Sequence, residues 1–158
     1  MKSALLDKHD GLRTFVLVFE TGDEAAGGLA AFAKEQGLSG SHFTAIGAFS
    51  RVVVAYFDWS SKQYRKVPIN EQVEVLSFAG DISIDNGEPK VHAHVVVGKA
   101  DATAHGGHLV NGHVRPTLEL ILTEMPRHLH RRFDAASGLA LIDPTAAGGA
   151  TAVPQRST

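Results

Sequence analysis

The chain has 158 residues, 44% of them hydrophobic and 20% charged, the profile of a single globular domain that can bury roughly 70% of its unfolded surface without a disulfide or metal staple. It contains no cysteine, which excludes a thiol nucleophile, a thiolate metal site and a disulfide framework. A formal net charge of −2 argues against a strongly basic nucleic-acid surface, and it is accompanied by nine histidines, the side chain that titrates near neutrality and most often binds metals.

Met1 to Leu6 is interrupted at once by Asp7, Lys8 and Asp10, so no apolar leader is expected. The longest hydrophobic run, Val52 to Phe57, falls far short of the about 20 residues a membrane helix needs. These features predict a soluble, cytoplasmic protein with no membrane partner.

Arg13 to Phe19 is rich in β-branched and aromatic residues and predicts a buried strand. A helix follows, with Thr21 and Glu24 spaced as a capping box and Gly37 as its stop. Ala25, Leu29, Phe32 and Ala33 share one face of that helix and predict packing on a sheet, and Gly27-Gly28 suggests a close helix–sheet contact. Beyond Gly37 the pattern is β. His42 to Phe49, Arg51 to Asp58 and Gln63 to Ile69 read as strands, with a turn at Ser60 to Lys62. Val73 to Ile84 is a longer strand in which Gly80 predicts a bulge or bend. Asn86-Gly87 makes a hairpin turn, and Val91 to Val97 returns from it. After a loop at Lys99 to Gly107 come Leu109-Val110, a turn at Asn111-Gly112, and a strand from Val114 to Met125 that must place Pro116 near its start or on an edge. Arg127 to Phe133 and Leu139 to Ile142 read as a final hairpin. The order predicts an α+β fold, an antiparallel sheet packed with one main helix, over residues 1–142. Residues 143–158 are small and nearly uncharged and predict a disordered tail.

His92-Ala93-His94 is the most informative segment. On a strand, residues i and i+2 share a face, which sets the two imidazoles roughly 6.5 to 7 Å apart at Cα, close enough to converge on one ion. Val91, Ala93, Val95 and Val97 form the opposite, apolar face. His105-Gly106-Gly107-His108 supplies a third candidate, since two glycines permit a tight backbone approach that delivers His108. Three imidazoles plus water make an open shell of the kind catalytic zinc has. His105 and His113 have weaker cases, in a polar loop and a turn, and His9 and His42 have no partner in sequence. Cupins also carry HxH on a strand, but their glycine spacing and following glutamate are missing. No GxSxG, P-loop, GxGxxG or HExxH is present. Glu74 and Glu119 are strand carboxylates that could serve as a general base. Arg127, His128, His130, Arg131 and Arg132 form a compact basic stretch that an oligomer could multiply into a phosphate-binding patch.

Phe43 to Ala48, Tyr56-Phe57-Asp58, Val73 to Ile82, Gly87-Glu88-Pro89 leading into His92-Ala93-His94, and Gly106-Gly107-His108-Leu109 resemble, in that order, the successive blocks of the plant-and-prokaryote-conserved (PPC) domain family in its bacterial branch. The resemblance runs from about Arg13 to Ile142. It implies an α+β fold assembled as a homotrimer. The family's histidine motif carries over onto His92, His94 and His108 and implies a site for zinc or another divalent metal, with a small-molecule ligand or water completing the shell. Bacterial members are often labelled DNA-binding by association with plant proteins whose Arg-Gly-Arg-Pro arm enters the minor groove; no such arm is present here. The expectations are therefore metal binding, with hydrolysis or lyase chemistry on a small molecule as an extension, and a DNA- or protein-binding regulator as the alternative.

Overall fold

The computed structural model describes residues 1–146. Seven strands form one antiparallel sheet in the order β1-β2-β7-β6-β5-β3-β4: β1 Lys2–His9, β2 Leu12–Glu20, β3 Gly40–Asp58, β4 Gln63–Ile69, β5 Val73–Asp85, β6 Glu88–Gly98 and β7 Ala104–Glu124. β7 also pairs with β3, so β3, β5, β6 and β7 close on themselves around the core. A separate hairpin, β8 Arg131–Asp134 and β9 Leu139–Ile142, completes the described chain. The predicted antiparallel sheet with one helix is what the residues build.

The helix α1, Ala25–Gln36, buries Ala25, Leu29, Phe32 and Ala33, the face its spacing predicts. Its start differs from the expected capping box. Glu24 is itself the cap, accepting from the amides of Ala26 and Gly27. The same carboxylate accepts from Gly112 N–H at 3.1 Å, tying the helix start to β7, while Thr21 donates instead to the Pro116 carbonyl. Gly37 ends the helix in the left-handed region at φ 63°. Gly28 lies against the Phe19 ring, where a Cβ would come within 2.8 Å, so the expected helix–sheet contact is present there.

Four expectations are corrected. His42 to Phe49 and Arg51 to Asp58 are one strand, β3, whose register shifts near Gly47 and Phe49 imitate a break. Asn111 and Gly112 likewise make no turn but pair with Val53 and Val52 inside β7, next to a register shift at Val110, and Pro116 falls in the irregular stretch between the Val114↔Phe49 and Leu118↔Gly47 pairs, where a missing amide donor does not interrupt a ladder. Gly80 sits at no bulge: it pairs regularly with Phe43 and Ala93, and a Cβ there would meet the His92 carbonyl at 2.2 Å and the Phe43 ring at 2.6 Å. Residues 2–9 form a strand that no pattern announced, because every one of its side chains is exposed. Of the predicted tail, Asp143 to Ala146 turns back with Asp143 accepting from Thr145; the rest lies outside the described residues. No helix among the described residues is long and apolar enough to cross a membrane.

Candidate metal centre

The hairpin at Asn86-Gly87, with φ 50° and 85°, sets the register of β5 and β6. Glu88 opposes Asp85, and each step back along β5 matches a step forward along β6, so Asp81 opposes His92 and Ala79 opposes His94. Ala93, Val95 and Val97 are buried in the core, which turns His92 and His94 to the other face of β6. On its second edge β6 pairs with β7 from Gly98↔Ala104 to His94↔His108, and no further. His108 therefore lies directly across from His94.

The diglycine has a steric cause. β7 is pinched between two neighbours at this point: a Cβ on Gly106 would meet the Val95 carbonyl oxygen of β6 at 2.7 Å, and one on Gly107 would meet the Ala55 carbonyl oxygen of β3 at 2.7 Å. Only glycine lets both backbones approach and still carry His108 to the junction. The predicted loop over Lys99 to Gly107 is shorter than expected, because β7 begins at Ala104.

Here the three imidazoles converge. One ring nitrogen from each of His92, His94 and His108 lies within 4.8 Å of the others, and the ring centroids are 5.2 to 5.6 Å apart. A tetrahedral ion held at about 2.1 Å would draw such nitrogens to roughly 3.4 Å, a distance within reach of small side-chain rotations. His108 Nδ1 is buried without a hydrogen-bond partner among the described residues. Burial lowers the His108 pKa to about 4, assisted by the charges of His92, His94 and Lys90. His94 is lowered too, by burial and then by His92. Neutral imidazoles are the form that binds a cation, so the donor set fits a divalent ion of zinc type.

Beyond His94↔His108, β6 and β7 diverge, and a cleft of about 670 Å³ opens in the fork. Ala26 and Ala30 of the helix and Leu139 and Leu141 of the β9 strand line it, together with His92 and His108. Tyr64 of β4 stacks on His108 at 4.8 Å between centroids.

The remaining candidates lie elsewhere. His105 is exposed beside Thr103, His113 opposes Arg51, His9 is exposed beside Asp10 and His42 is exposed on β3. Glu74 and Glu119 are exposed strand residues outside the three-histidine group. The basic stretch is exposed at Arg127 and Arg132 but not throughout. The Arg131 side chain is only 7% exposed and pairs with Asp81, Arg132 pairs with Asp143 at 3.3 Å, and His128 meets the Ser39 hydroxyl. Asp81 and Tyr64 carry no role in the sequence pattern, and Arg131 figures there only as part of the basic stretch. For Asp81 the signal was present, since the two-residue Asn-Gly turn already places it opposite His92.

The fold and donor set define the class: an α+β domain with three imidazoles gathered at a strand junction. The chain belongs to the PPC family, whose profile, the Plants and Prokaryotes Conserved (PCC) domain, matches residues 6–126. Among solved structures it is similar to a PPC protein of Pyrococcus horikoshii, 32% identical over 83% of this chain and 91% of that one, TM-score 0.78. A metal-containing protein of Archaeoglobus fulgidus is also 32% identical, over 82% and 91%, TM-score 0.76. A candidate DNA-binding protein of Ralstonia eutropha is 25% identical over 82% and 90%, TM-score 0.75. No curated protein matches the chain.

Proposed function

We propose that this PPC protein binds a divalent metal, zinc by its donor chemistry, through His92, His94 and His108. The observation that carries the reading is the meeting of three imidazoles from two paired strands, with the buried His108 Nδ1 lacking any other partner among the described residues. The metal-containing relative from Archaeoglobus fulgidus supports it. A bound ion with three histidine ligands would supply a Lewis acid with one position open. The adjoining cleft is of a size for a small molecule, which extends the proposal to hydrolysis or lyase chemistry. Metal analysis of untagged protein tests it, with close to one equivalent per chain expected. Less than a tenth of an equivalent, unchanged in His92→Ala, overturns it.

The proposal includes a homotrimer built from residues 1–142 and working in the cytoplasm. Exposed Ile46, Leu76, Val96 and Ile121 on four neighbouring strands support self-association, because such apolar groups gain by being covered. Sedimentation showing only monomer at micromolar concentration removes the trimer. DNA binding is the second reading, supported by the name of the Ralstonia eutropha relative. It predicts a salt-sensitive complex weakened by Arg127→Glu and Arg132→Glu, and no gel shift at low salt removes it.

A further inference from the structure

The least exposed arginine of the basic stretch points all of its nitrogens inward. Arg131 Nε donates to Ser83 Oγ at 2.7 Å, Nη1 to the Ala140 carbonyl at 2.9 Å and Nη2 to Asp81 Oδ1 at 2.8 Å. Ser83 Oγ donates to the same Oδ1 at 3.0 Å. Two donors thus hold one oxygen of Asp81. The other, Oδ2, faces His92 Nδ1 at 3.6 Å. A carboxylate clamped on one oxygen and presenting the second to an imidazole keeps the proton on Nδ1 and leaves the Nε2 lone pair free. Neither His94 nor His108 has an acidic partner among the described residues.

We infer that Arg131 is a positioning residue for the histidine site: through Asp81 it sets the tautomer and orientation of His92, which makes the C-terminal hairpin part of the site. This rests on the metal reading above. It goes beyond the family match, because Arg131 and the β8–β9 hairpin lie outside residues 6–126. The segment that leads into the hairpin is fastened to β5 by Ile84 N–H donating to the Leu129 carbonyl at 2.7 Å. A purely structural Arg131 would anchor the hairpin and leave the His92 ring indifferent to its loss.

The test uses the full chain with nitrogen-15 in its histidines. In metal-free protein, the imidazole spectrum of His92 is expected to report Nδ1–H, and Asp81→Asn and Arg131→Ala are each expected to shift it toward a mixture. Zinc affinity measured against a competing chelator is expected to fall about 10- to 100-fold in both variants. Arg131→Lys, which keeps a cation beside Asp81, is expected to lie between them and the parent. Circular dichroism verifies folding, and if Arg131→Ala unfolds, Arg131→Lys with Asp81→Asn decides the matter, an unchanged His92 spectrum in either one overturning the inference. An Nε2–H tautomer in the parent, zinc affinity in folded Asp81→Asn within twofold of the parent, or an unchanged His92 spectrum in folded Arg131→Ala each overturns the inference and leaves the metal reading standing. A parent that takes up no zinc overturns both.

Discussion

Two arginine–carboxylate pairs flank the start of β3, with Glu124 of β7 across from Ser41 and Asp81 of β5 across from His42, and they differ in what is left unfilled. At the end of β7, Glu124 receives Arg13 Nε at 2.8 Å, Arg13 N–H at 2.9 Å and Nη2 at 2.7 Å, which occupy both of its oxygens. Arg13 also reaches the Gln36 carbonyl at 3.0 Å, so the pair joins β2, β7 and the end of the helix. At the fork, Asp81 is held on one oxygen only and turns the other toward an imidazole. Both carboxyls respond alike: burial pushes each upward, and the donors of the partner groups outweigh it and hold each below its ordinary range. What separates a fastening from a working group is the lone pair that remains, not the residue types or the sign of the shift.

The contrast is broken most severely at the histidines. His108→Ala is expected to weaken metal binding by more than about 100-fold, beyond the loss from removing an outer partner, and metal content after dialysis measures it. Arg13→Ala is expected to lower stability by about 2 to 3 kcal/mol, read from the denaturant midpoint, with metal content unchanged. The two regions should also separate in pH. In metal-free protein, folding holds His108 neutral down to about pH 4, whereas the unfolded chain takes up the proton near pH 6.5. Between these values the unfolded state binds more protons, so stability falls as pH drops through that window. Replacing His108 should flatten this limb. Glu124 is depressed, so its contribution is present above the ordinary carboxylate pKa and is lost at lower pH, as the solution passes its folded value. Arg13→Ala should flatten only that second, more acidic limb in a titration of thermal stability. The smallest effect is expected of Arg132→Ala. Its side chain is 76% exposed in the pair with Asp143, so melting should register no more than about 0.5 kcal/mol.

Much of this arrangement was legible before any coordinates, and the failures have local causes. The helix face, the shared face of His92 and His94, and the need for glycines before His108 follow from side-chain periodicity and backbone sterics. The division of β3 at Ser50 and of β7 at Asn111-Gly112 fails because a polar residue or an Asn-Gly pair carries the same signal whether the chain turns or runs on beside a register slip. β1 escaped because an exposed edge strand shows no alternation of burial. Asp81 was within reach of the hairpin arithmetic around Asn86-Gly87.

By itself the amino-acid sequence determined the α+β element order, the placing of His92 and His94 on one strand face, and the exclusion of thiolate from any donor set. These are matters of period and composition, which act over a few residues. Only the tertiary structure decided that His108 stands across from His94, that the strands then part to leave a cleft, and that Arg131 is spent on Asp81, 50 residues away, instead of on solvent. Contacts of that separation depend on how a twisted, closing sheet brings its edges and the C-terminal hairpin together, and no local pattern records it.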